Sequence, residues 1–175
     1  ILAEKQVAGE CAPGEHALVF PSTGNFGIGG AWVGPRMGYR SIIVLPEEMS
    51  AERFERIREY GAEVVATPGS ESNVKEIYDK VKELRRVPGN RILNQFEEFA
   101  NYRFHYHCTS DAASSVVAGL GLRVAAFVSA MGSAGTIAAG EALKKAHPAA
   151  AIVAVEPVQC PTLFNVGFGA HRIEG

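Results

Sequence analysis

Apolar residues in this chain form short continuous runs, and these alternate with stretches where apolar positions recur every three or four residues. The runs predict strands at 17–20, 41–45, 63–67, 91–94, 124–130 and 151–155. The second pattern predicts helices at 51–60, 72–86 and 136–146, and a long helical stretch at about 99–120 that is interrupted near Thr109. Strands that are apolar throughout are typical of a parallel sheet with helices on both faces, so the sequence predicts an α/β fold.

Composition and charge argue against several classes of protein. The 175 residues are 47% hydrophobic and 21% charged, as in globular proteins. Seventeen Lys and Arg against nineteen Asp and Glu give a net charge of −2 without a basic block, so we expect no nucleic-acid partner. The longest apolar runs, 124–131 and 149–155, fall far short of the roughly 20 residues of a membrane helix, so we expect no membrane partner.

The cysteines and histidines favour neither a disulfide framework nor a metal site. Cys11, Cys108 and Cys160 are odd in number, far apart and without Cys/His ligand spacing, which favours the reducing cytoplasm. His105 and His107 are two positions apart and would point to different faces of a helix. The sequence therefore predicts no metal.

Three loops directly follow predicted strands, where ligands bind in parallel α/β folds. Pro21–Gly30 has two hydroxyls, a carboxamide and several glycines where a strand becomes a helix, so its backbone N–H groups suit an anion. Asn94–Glu98 places two amides before an acidic pair. Met131–Thr136 has the small residues and hydroxyls of a phosphate site at a helix start. Tight turns and helix capping are the structural alternatives.

Nucleotide sites are alternatives for the glycine-rich loops. Gly27, Gly29 and Gly30 open a helix, and an acidic pair follows the next strand, as in a dinucleotide site. Trp32 stands where the third glycine of that motif belongs, and we expect its bulk to oppose close helix–strand packing. The loop at 131–136 lacks the lysine of a P-loop, which disfavours ATP or GTP.

Taken in order, these loops resemble motifs of the fold type II pyridoxal-phosphate enzymes, closest to the cysteine synthase (O-acetylserine sulfhydrylase) and cystathionine β-synthase branch. The similar segments are 21–27 (P-T-S-G-N-T-G in the family), 49–53 with 60–65 (M-S-x-E-R, then G-A-x-V), 94–105 (Q-F-x-N-P-A-N-x-x-x-H), 132–136 (G-T-G-G-T), and 153–157 with 171–175 (V-A-V-E-P, then H-x-I-Q-G). The resemblance covers nearly the whole chain.

The resemblance implies a fold and an organisation. The fold would be a three-layer parallel-sheet sandwich of the tryptophan synthase β-like kind, built as two lobes. Residues 16–95 would form the small lobe, with the loop that binds the substrate carboxylate. Residues 1–15 and 96–175 would belong to the large lobe, with the phosphate loop. The family also implies a cytoplasmic homodimer active in amino-acid biosynthesis.

The resemblance also implies a role for each loop residue. Asn25 would donate a hydrogen bond to the 3′ oxygen of pyridoxal 5′-phosphate. The substrate carboxylate would be held by Ser22, Thr23, Gly24 and Gln95. The cofactor phosphate would be held by Gly132, Ser133, Ala134, Gly135 and Thr136. The implied reaction is loss of a β-substituent from a serine-type amino acid and addition of a nucleophile such as sulfide, as in a transferase or lyase.

Several residues depart from the family pattern. Phe26 replaces a threonine, which we expect to place a bulky ring near the substrate, and Ala134 replaces a glycine of the phosphate loop. Glu97, with its neighbours 98–99, replaces a polar-Asn-Pro segment, and Ser110 begins a Ser-Asp-Ala-Ala run where Gly-Pro-Glu is usual. Pro35 should kink or end the helix that starts near Asn25. These departures leave the exact substrate open.

The family's Schiff-base lysine does not align with any residue of this sequence. We expect it upstream of Ile1, and the serine that pairs with the pyridine nitrogen beyond Gly175, so the chain appears truncated at both ends. Lys5 does not match the lysine's position. Two alternatives stay open: a serine/threonine-type dehydratase of the same fold, and a non-catalytic, lysine-less binding protein or fragment.

Overall fold

The computed structural model describes residues 1–70 and 73–167, which group into two compact units. The N-terminal unit comprises residues 2–94. The C-terminal unit comprises Ile1 and the described residues from Gln95 to Gly167. The expected lobes, 16–95 and 1–15 with 96–175, concern the whole enzyme and stay a prediction.

The N-terminal unit is an α/β structure with a four-stranded sheet. Its elements in chain order are α1 (Leu2–Val7), β1 (Ala17–Pro21), α2 (Asn25–Arg36), β2 (Arg40–Pro46), α3 (Ala51–Glu59), β3 (Glu63–Thr67), α4 (Val74–Arg85) and β4 (Asn90–Ile92). The strands are parallel in the order β3-β2-β1-β4, and Val19 is aligned with Ile42 on one side and Ile92 on the other. The parallel sheet predicted from the apolar runs is confirmed.

Helices cover both faces of this sheet. Ile77 and Val81 of α4 pack against Val19, Ile42 and Val44 on one face. Because side chains alternate along a strand, the neighbouring strand residues point to the opposite face, where α2 lies. Cover on both faces explains why β1 and β2 are apolar throughout.

Helix α2 approaches the sheet through glycines at 27, 30 and 34. A Cβ atom placed on Gly30 would lie 2.7 Å from Cδ1 of Phe20, so the helix backbone rests directly on the ring. Trp32 is 47% exposed, and the guanidinium carbon of Arg36 lies 4.4 Å from the ring centroid. The expectation that Trp32 would oppose close packing was wrong, because its side chain lies away from the sheet. As expected, α2 ends at Arg36, directly after Pro35.

The C-terminal unit contains a second parallel sheet. Its elements are α5 (Phe99–Phe104), a π-helical turn (His105–Thr109), α6 (Ser110–Gly119), β5 (Ala126–Ala130), α7 (Ile137–Ala146) and β6 (Ala151–Val155). β5 and β6 pair in register from Ala126 with Ala151. The predicted interruption near Thr109 is the π-helical turn.

Helix α7 packs on one face of the second sheet. A Cβ atom on Gly140 would lie 2.6 Å from Cδ1 of Phe127. Val128 and Val153 are exposed, so within the part of the chain that is described this sheet has helical cover on one face only. The motif at 171–175 lies outside the described residues. Of the helices described, none has the length and apolar character needed to cross a bilayer.

Candidate functional site

The loop between β1 and α2 is organised by the hydroxyl of Ser22. Ser22 is only 6% exposed, and its Oγ accepts the backbone N–H groups of Gly24 at 3.2 Å and Gly27 at 3.0 Å. Its own backbone N–H donates to the carbonyl of Val44 at 3.1 Å. The Ser22 side chain is thus committed to the loop itself. Its predicted contact with a substrate carboxylate stays a prediction.

Three backbone donors of the same loop remain available. The N–H groups of Thr23, Asn25 and Phe26 donate to no other residue in the described ranges. They lie at the N-terminus of α2, a helix of twelve residues whose dipole favours negative charge there. The sequence predicted the anion site, but it did not indicate which N–H groups would be free to form it.

Two side chains hold this loop in place from outside. The guanidinium of Arg53, on α3, donates to the backbone carbonyl of Thr23. The Phe26 ring packs edge-on against Phe20, with ring centroids 5.6 Å apart and an interplanar angle of 67°. The bulky ring at position 26 therefore contacts strand β1, and its expected proximity to the substrate stays a prediction.

The loop between β5 and α7 also presents unengaged backbone donors. The N–H of Met131 donates to Val155 at 2.9 Å and ties the loop start to β6. From Gly132 to Thr136, the N–H groups donate to no acceptor within the described residues. This segment contains no carboxylate, and it leads directly into the ten-residue helix α7. Such a loop is suited to a phosphate group.

Both hydroxyls of this loop contact a second polar side chain. Nδ2 of Asn101 donates to Oγ of Ser133 at 3.0 Å. Oγ of Ser129 lies 3.0 Å from Oγ1 of Thr136 and 3.1 Å from the carbonyl oxygen of Ala130. Asn101 and Ser129 were not predicted as site residues. The available signals were a matched motif for Asn101 and a lone hydroxyl within an apolar strand for Ser129.

Ala134 is held in an unusual backbone conformation. Its φ is +59°, in the left-handed region that favours glycine. Ala134 is the position where the resembling family has glycine. The loop keeps this conformation without a glycine, at a cost in backbone strain.

Gln95 lies in the C-terminal unit, whereas Ser22, Thr23, Gly24 and Asn25 lie in the N-terminal unit. Gln95 is half-buried and lines a cavity of about 140 Å³. Other residues lining the cavity include Phe96, Glu97, Asn101, Tyr102, Ser133 and Ala134. Gln95 therefore shares a cavity with Ser133 and Ala134 of the candidate phosphate site and with Asn101, which contacts Ser133.

A polar network joins α5 and the π-helical turn to α7. The Tyr102 hydroxyl donates to the carboxylate of Glu141, and Lys145 donates to the Tyr106 hydroxyl at 2.6 Å. The hydrogen bond from Tyr102, followed by the proximity of Lys145, lowers the pKa of Glu141. The same hydrogen bond raises the pKa of Tyr102. In the described part of the chain, His, Cys, Asp and Glu side chains form no cluster able to hold a metal.

A comparison with known protein families shows which family the chain belongs to. A family profile described as "pyridoxal-phosphate dependent enzyme" matches residues 2–171. The chain belongs to the pyridoxal-phosphate dependent enzymes. The motif-based resemblance is thereby confirmed, as is the expected cofactor class.

Relatives of this pyridoxal-phosphate family member include cysteine synthases. A probable cysteine synthase of Bacillus subtilis is 37% identical over 177 residues, which cover 100% of this chain and 56% of the relative. A cysteine synthase of Staphylococcus aureus is 38% identical over 95% of this chain and 53% of its own length. The chain thus spans about half the length of the curated relatives it matches.

Solved structures of similar proteins have the same fold. A hydrogen sulfide-producing enzyme of Fusobacterium nucleatum superposes with a TM-score of 0.88 at 29% identity, covering 99% of this chain and 53% of that one. An O-acetylserine dependent cystathionine β-synthase of Helicobacter pylori gives 0.85 at 30% identity, over 99% and 56% of the two chains. The expected fold, that of the fold type II pyridoxal-phosphate enzymes, is therefore confirmed.

The residues of the β5–α7 loop fit the phosphate of the family's cofactor. The loop offers unengaged N–H groups, the hydroxyls of Ser133 and Thr136, and the N-terminus of α7. Charge-assisted hydrogen bonds from such donors are the interactions that phosphate oxygens accept. The donor set therefore matches the group that the family binds.

Proposed function

We propose that the whole protein is a pyridoxal-phosphate-dependent enzyme of the cysteine synthase kind, which replaces or eliminates the β-substituent of a serine-type amino acid. The observation that carries the proposal is the presence of two helix-start loops with unengaged N–H groups. They occur in a chain 37% identical to a probable cysteine synthase. Such an enzyme must bind two anions, the cofactor phosphate and the substrate carboxylate.

The phosphate would be held by Gly132, Ser133, Ala134, Gly135 and Thr136. Their N–H groups and two hydroxyls are the donors described above, and the α7 dipole adds favourable charge. None of these N–H groups donates to an acceptor within the described residues. A phosphate would therefore replace water there without breaking a contact of the fold.

The substrate carboxylate would be held by the α2 loop together with the carboxamide of Gln95. Thr23, Asn25 and Phe26 supply backbone N–H groups, while Gly24 occupies the N-cap position with extended backbone, φ −125° and ψ −155°. Ser22 keeps the loop in this form by engaging the other N–H groups. The Asn25 side chain is exposed at the first position of α2 and would donate to the 3′ oxygen of the cofactor.

When bound, pyridoxal phosphate supplies an electron sink for the carbanion formed at the substrate's α-carbon. The chain's own contribution is to bind and orient the amino acid. Fixing the carboxylate at the start of α2 holds the α-carbon in one position, which lowers the entropic part of the barrier. The residues Glu97 and Ser110, where the chain differs from the family pattern, would influence which substrate is accepted.

The resemblance supports two further proposals, that the protein is a homodimer and that it works in the cytoplasm. Cys11, Cys108 and Cys160 are free thiols, in keeping with a reducing compartment. Analytical ultracentrifugation of the full-length protein should give twice the mass of one chain. A monomeric mass across the micromolar range would contradict the homodimer.

The activity is tested by product analysis with the full-length protein and pyridoxal 5′-phosphate. With O-acetyl-L-serine and sulfide we expect cysteine, and with L-serine alone little pyruvate. Rapid pyruvate release from L-serine without sulfide would instead identify a dehydratase. Tight cofactor binding with neither product would favour the non-catalytic alternative and contradict the proposed reaction.

A further inference from the structure

The side chain of Asn101 supports the β5–α7 loop from helix α5. Its Nδ2 donates to Ser133 Oγ at 3.0 Å. A Cβ atom on Gly135 would lie 2.6 Å from both Nδ2 and Oδ1 of Asn101, so the carboxamide lies directly against the loop backbone. Asn101 thus contacts the loop at two positions, and a side chain at position 135 would displace it.

The bond from Asn101 decides where the Ser133 hydroxyl hydrogen can point. A serine hydroxyl has one hydrogen to donate and two lone pairs that accept. Since Ser133 Oγ accepts from a carboxamide N–H, its own hydrogen is directed away from Asn101. No residue in the described ranges accepts that hydrogen. Ser133 is half-buried and lines the cavity of about 140 Å³.

We propose that Asn101 is a positioning residue that turns the Ser133 hydroxyl into a hydrogen-bond donor for a bound phosphate. The inference rests on the proposed function, since the phosphate is that of the cofactor. It assigns a purpose to the two contacts together: one sets the direction of the hydroxyl, and the other holds the loop at Gly135. Asn101 itself does not touch the phosphate on this account.

The test compares affinities for pyridoxal 5′-phosphate and for pyridoxal, which lacks the phosphate, by equilibrium dialysis of the full-length protein. The variants are Asn101→Ala, Ser133→Ala and the double variant. Asn90→Ala is the matched control, because Asn90 lies in the N-terminal unit and its Nδ2 likewise donates one hydrogen bond, to the Leu84 carbonyl at 2.9 Å.

We expect Asn101→Ala to weaken pyridoxal 5′-phosphate binding about fivefold, the loss of one oriented hydrogen bond, and to leave pyridoxal binding within about twofold. In the Ser133→Ala background, Asn101→Ala should have little further effect, because it acts through Ser133. The control variant should bind both ligands like the wild type.

A second variant, Asn101→Asp, keeps the side-chain shape but converts the donor into an acceptor. Its carboxylate should capture the Ser133 hydrogen and repel phosphate, so we expect a loss larger than that of Asn101→Ala. This variant keeps the test valid if the alanine variant fails to fold.

Three results would overturn the inference. Equal losses for the two ligands would show a merely structural role. Additive effects of Asn101→Ala and Ser133→Ala would show that Asn101 does not act through Ser133. In both cases the wild type still binds the cofactor, so the proposed function survives. Absence of pyridoxal 5′-phosphate binding by the wild type would overturn both.

Discussion

The Oγ of Ser22 lies 3.0 Å from the backbone nitrogen of Gly27 and accepts its hydrogen. Because Ser22 also accepts the N–H of Gly24, this one buried hydroxyl keeps two backbone donors of the loop occupied. The N–H groups of Thr23, Asn25 and Phe26 are left for an anion. The arrangement separates the residue that shapes the loop from those proposed to bind the substrate.

Removing the Ser22 hydroxyl should therefore destabilise the protein. Ser22→Ala leaves the buried N–H of Gly24 without an acceptor, while the N–H of Gly27 keeps only its bond to the Gly24 carbonyl at 3.1 Å. We therefore expect a loss of about 1–2 kcal/mol in the free energy of unfolding. Urea denaturation of the full-length protein measures it. Thr23→Val is the matched control, since Thr23 is only half-buried, and it should change stability by less than about 0.5 kcal/mol. Equal effects of the two changes would contradict the division of roles.

Replacing either of two adjacent glycines of α2 by alanine should change the stability of the protein, but in opposite directions. A Cβ on Gly30 would lie 2.7 Å from the Phe20 ring, so Gly30→Ala should cost about 1–3 kcal/mol through overpacking. Gly29 is exposed with no atom within 4 Å of its Cβ position, so Gly29→Ala should stabilise the helix by about 0.5–1 kcal/mol. Thermal unfolding of both variants checks the signs. A stabilising Gly30→Ala would refute the close approach of α2 to β1.

Relaxing the backbone at Ala134 should stabilise the β5–α7 loop. Its φ of +59° is strained for alanine, so Ala134→Gly should gain about 0.5–1 kcal/mol after allowing for the greater freedom of glycine in the unfolded chain. Ala138→Gly, in buried helix α7, should instead lose about 1 kcal/mol. Chemical denaturation distinguishes the two. Destabilisation by Ala134→Gly would argue against the left-handed conformation.

The pKa of Glu141 should rise when Tyr102 loses its hydroxyl. In the native protein the hydrogen bond from Tyr102 is the main cause that lowers this pKa, with a smaller contribution from Lys145. A lowered carboxyl pKa stabilises the folded state above the group's ordinary pKa, and this stabilisation is lost as the pH falls through the lowered value. Carbon-13 NMR titration of Glu141 should show an upward shift in Tyr102→Phe.

On acidification, the same Tyr102→Phe variant should lose less stability than the wild type. The reason is that its Glu141, with a pKa closer to the ordinary value, stabilises the folded state less to begin with. Tyr78→Phe, on helix α4 of the other unit, serves as control and should leave the Glu141 titration unchanged. An unchanged Glu141 pKa in Tyr102→Phe would contradict the assigned cause.

The strands and the positions of the loops could be predicted because they depend on local pattern. The strands at 63–67 and 151–155 have the predicted bounds, since each is a short apolar run between turn residues. The partners of Ser133 and Gly30 could not be predicted, because they come from elements elsewhere in the chain.

The wrong expectation that Trp32 would oppose close packing has a simple physical origin. The composition of a segment does not say which way a side chain points. Trp32 is bulky but lies on the exposed side of α2, and the Phe26 ring is turned against Phe20. The glycines that bring α2 close to the sheet were visible in the sequence, yet their purpose depends on the strand beneath them.

In the whole protein, we propose, the β5–α7 loop holds the phosphate of pyridoxal 5′-phosphate. The most direct measurement is the visible absorption spectrum of the full-length protein after incubation with the cofactor and dialysis, before and after borohydride reduction. We predict a visible band that survives dialysis, cofactor fixed to a lysine after reduction, and faster loss of the band in Thr136→Ala. No visible band in the wild type, or retention unaffected by Thr136→Ala, would contradict this role of the β5–α7 loop.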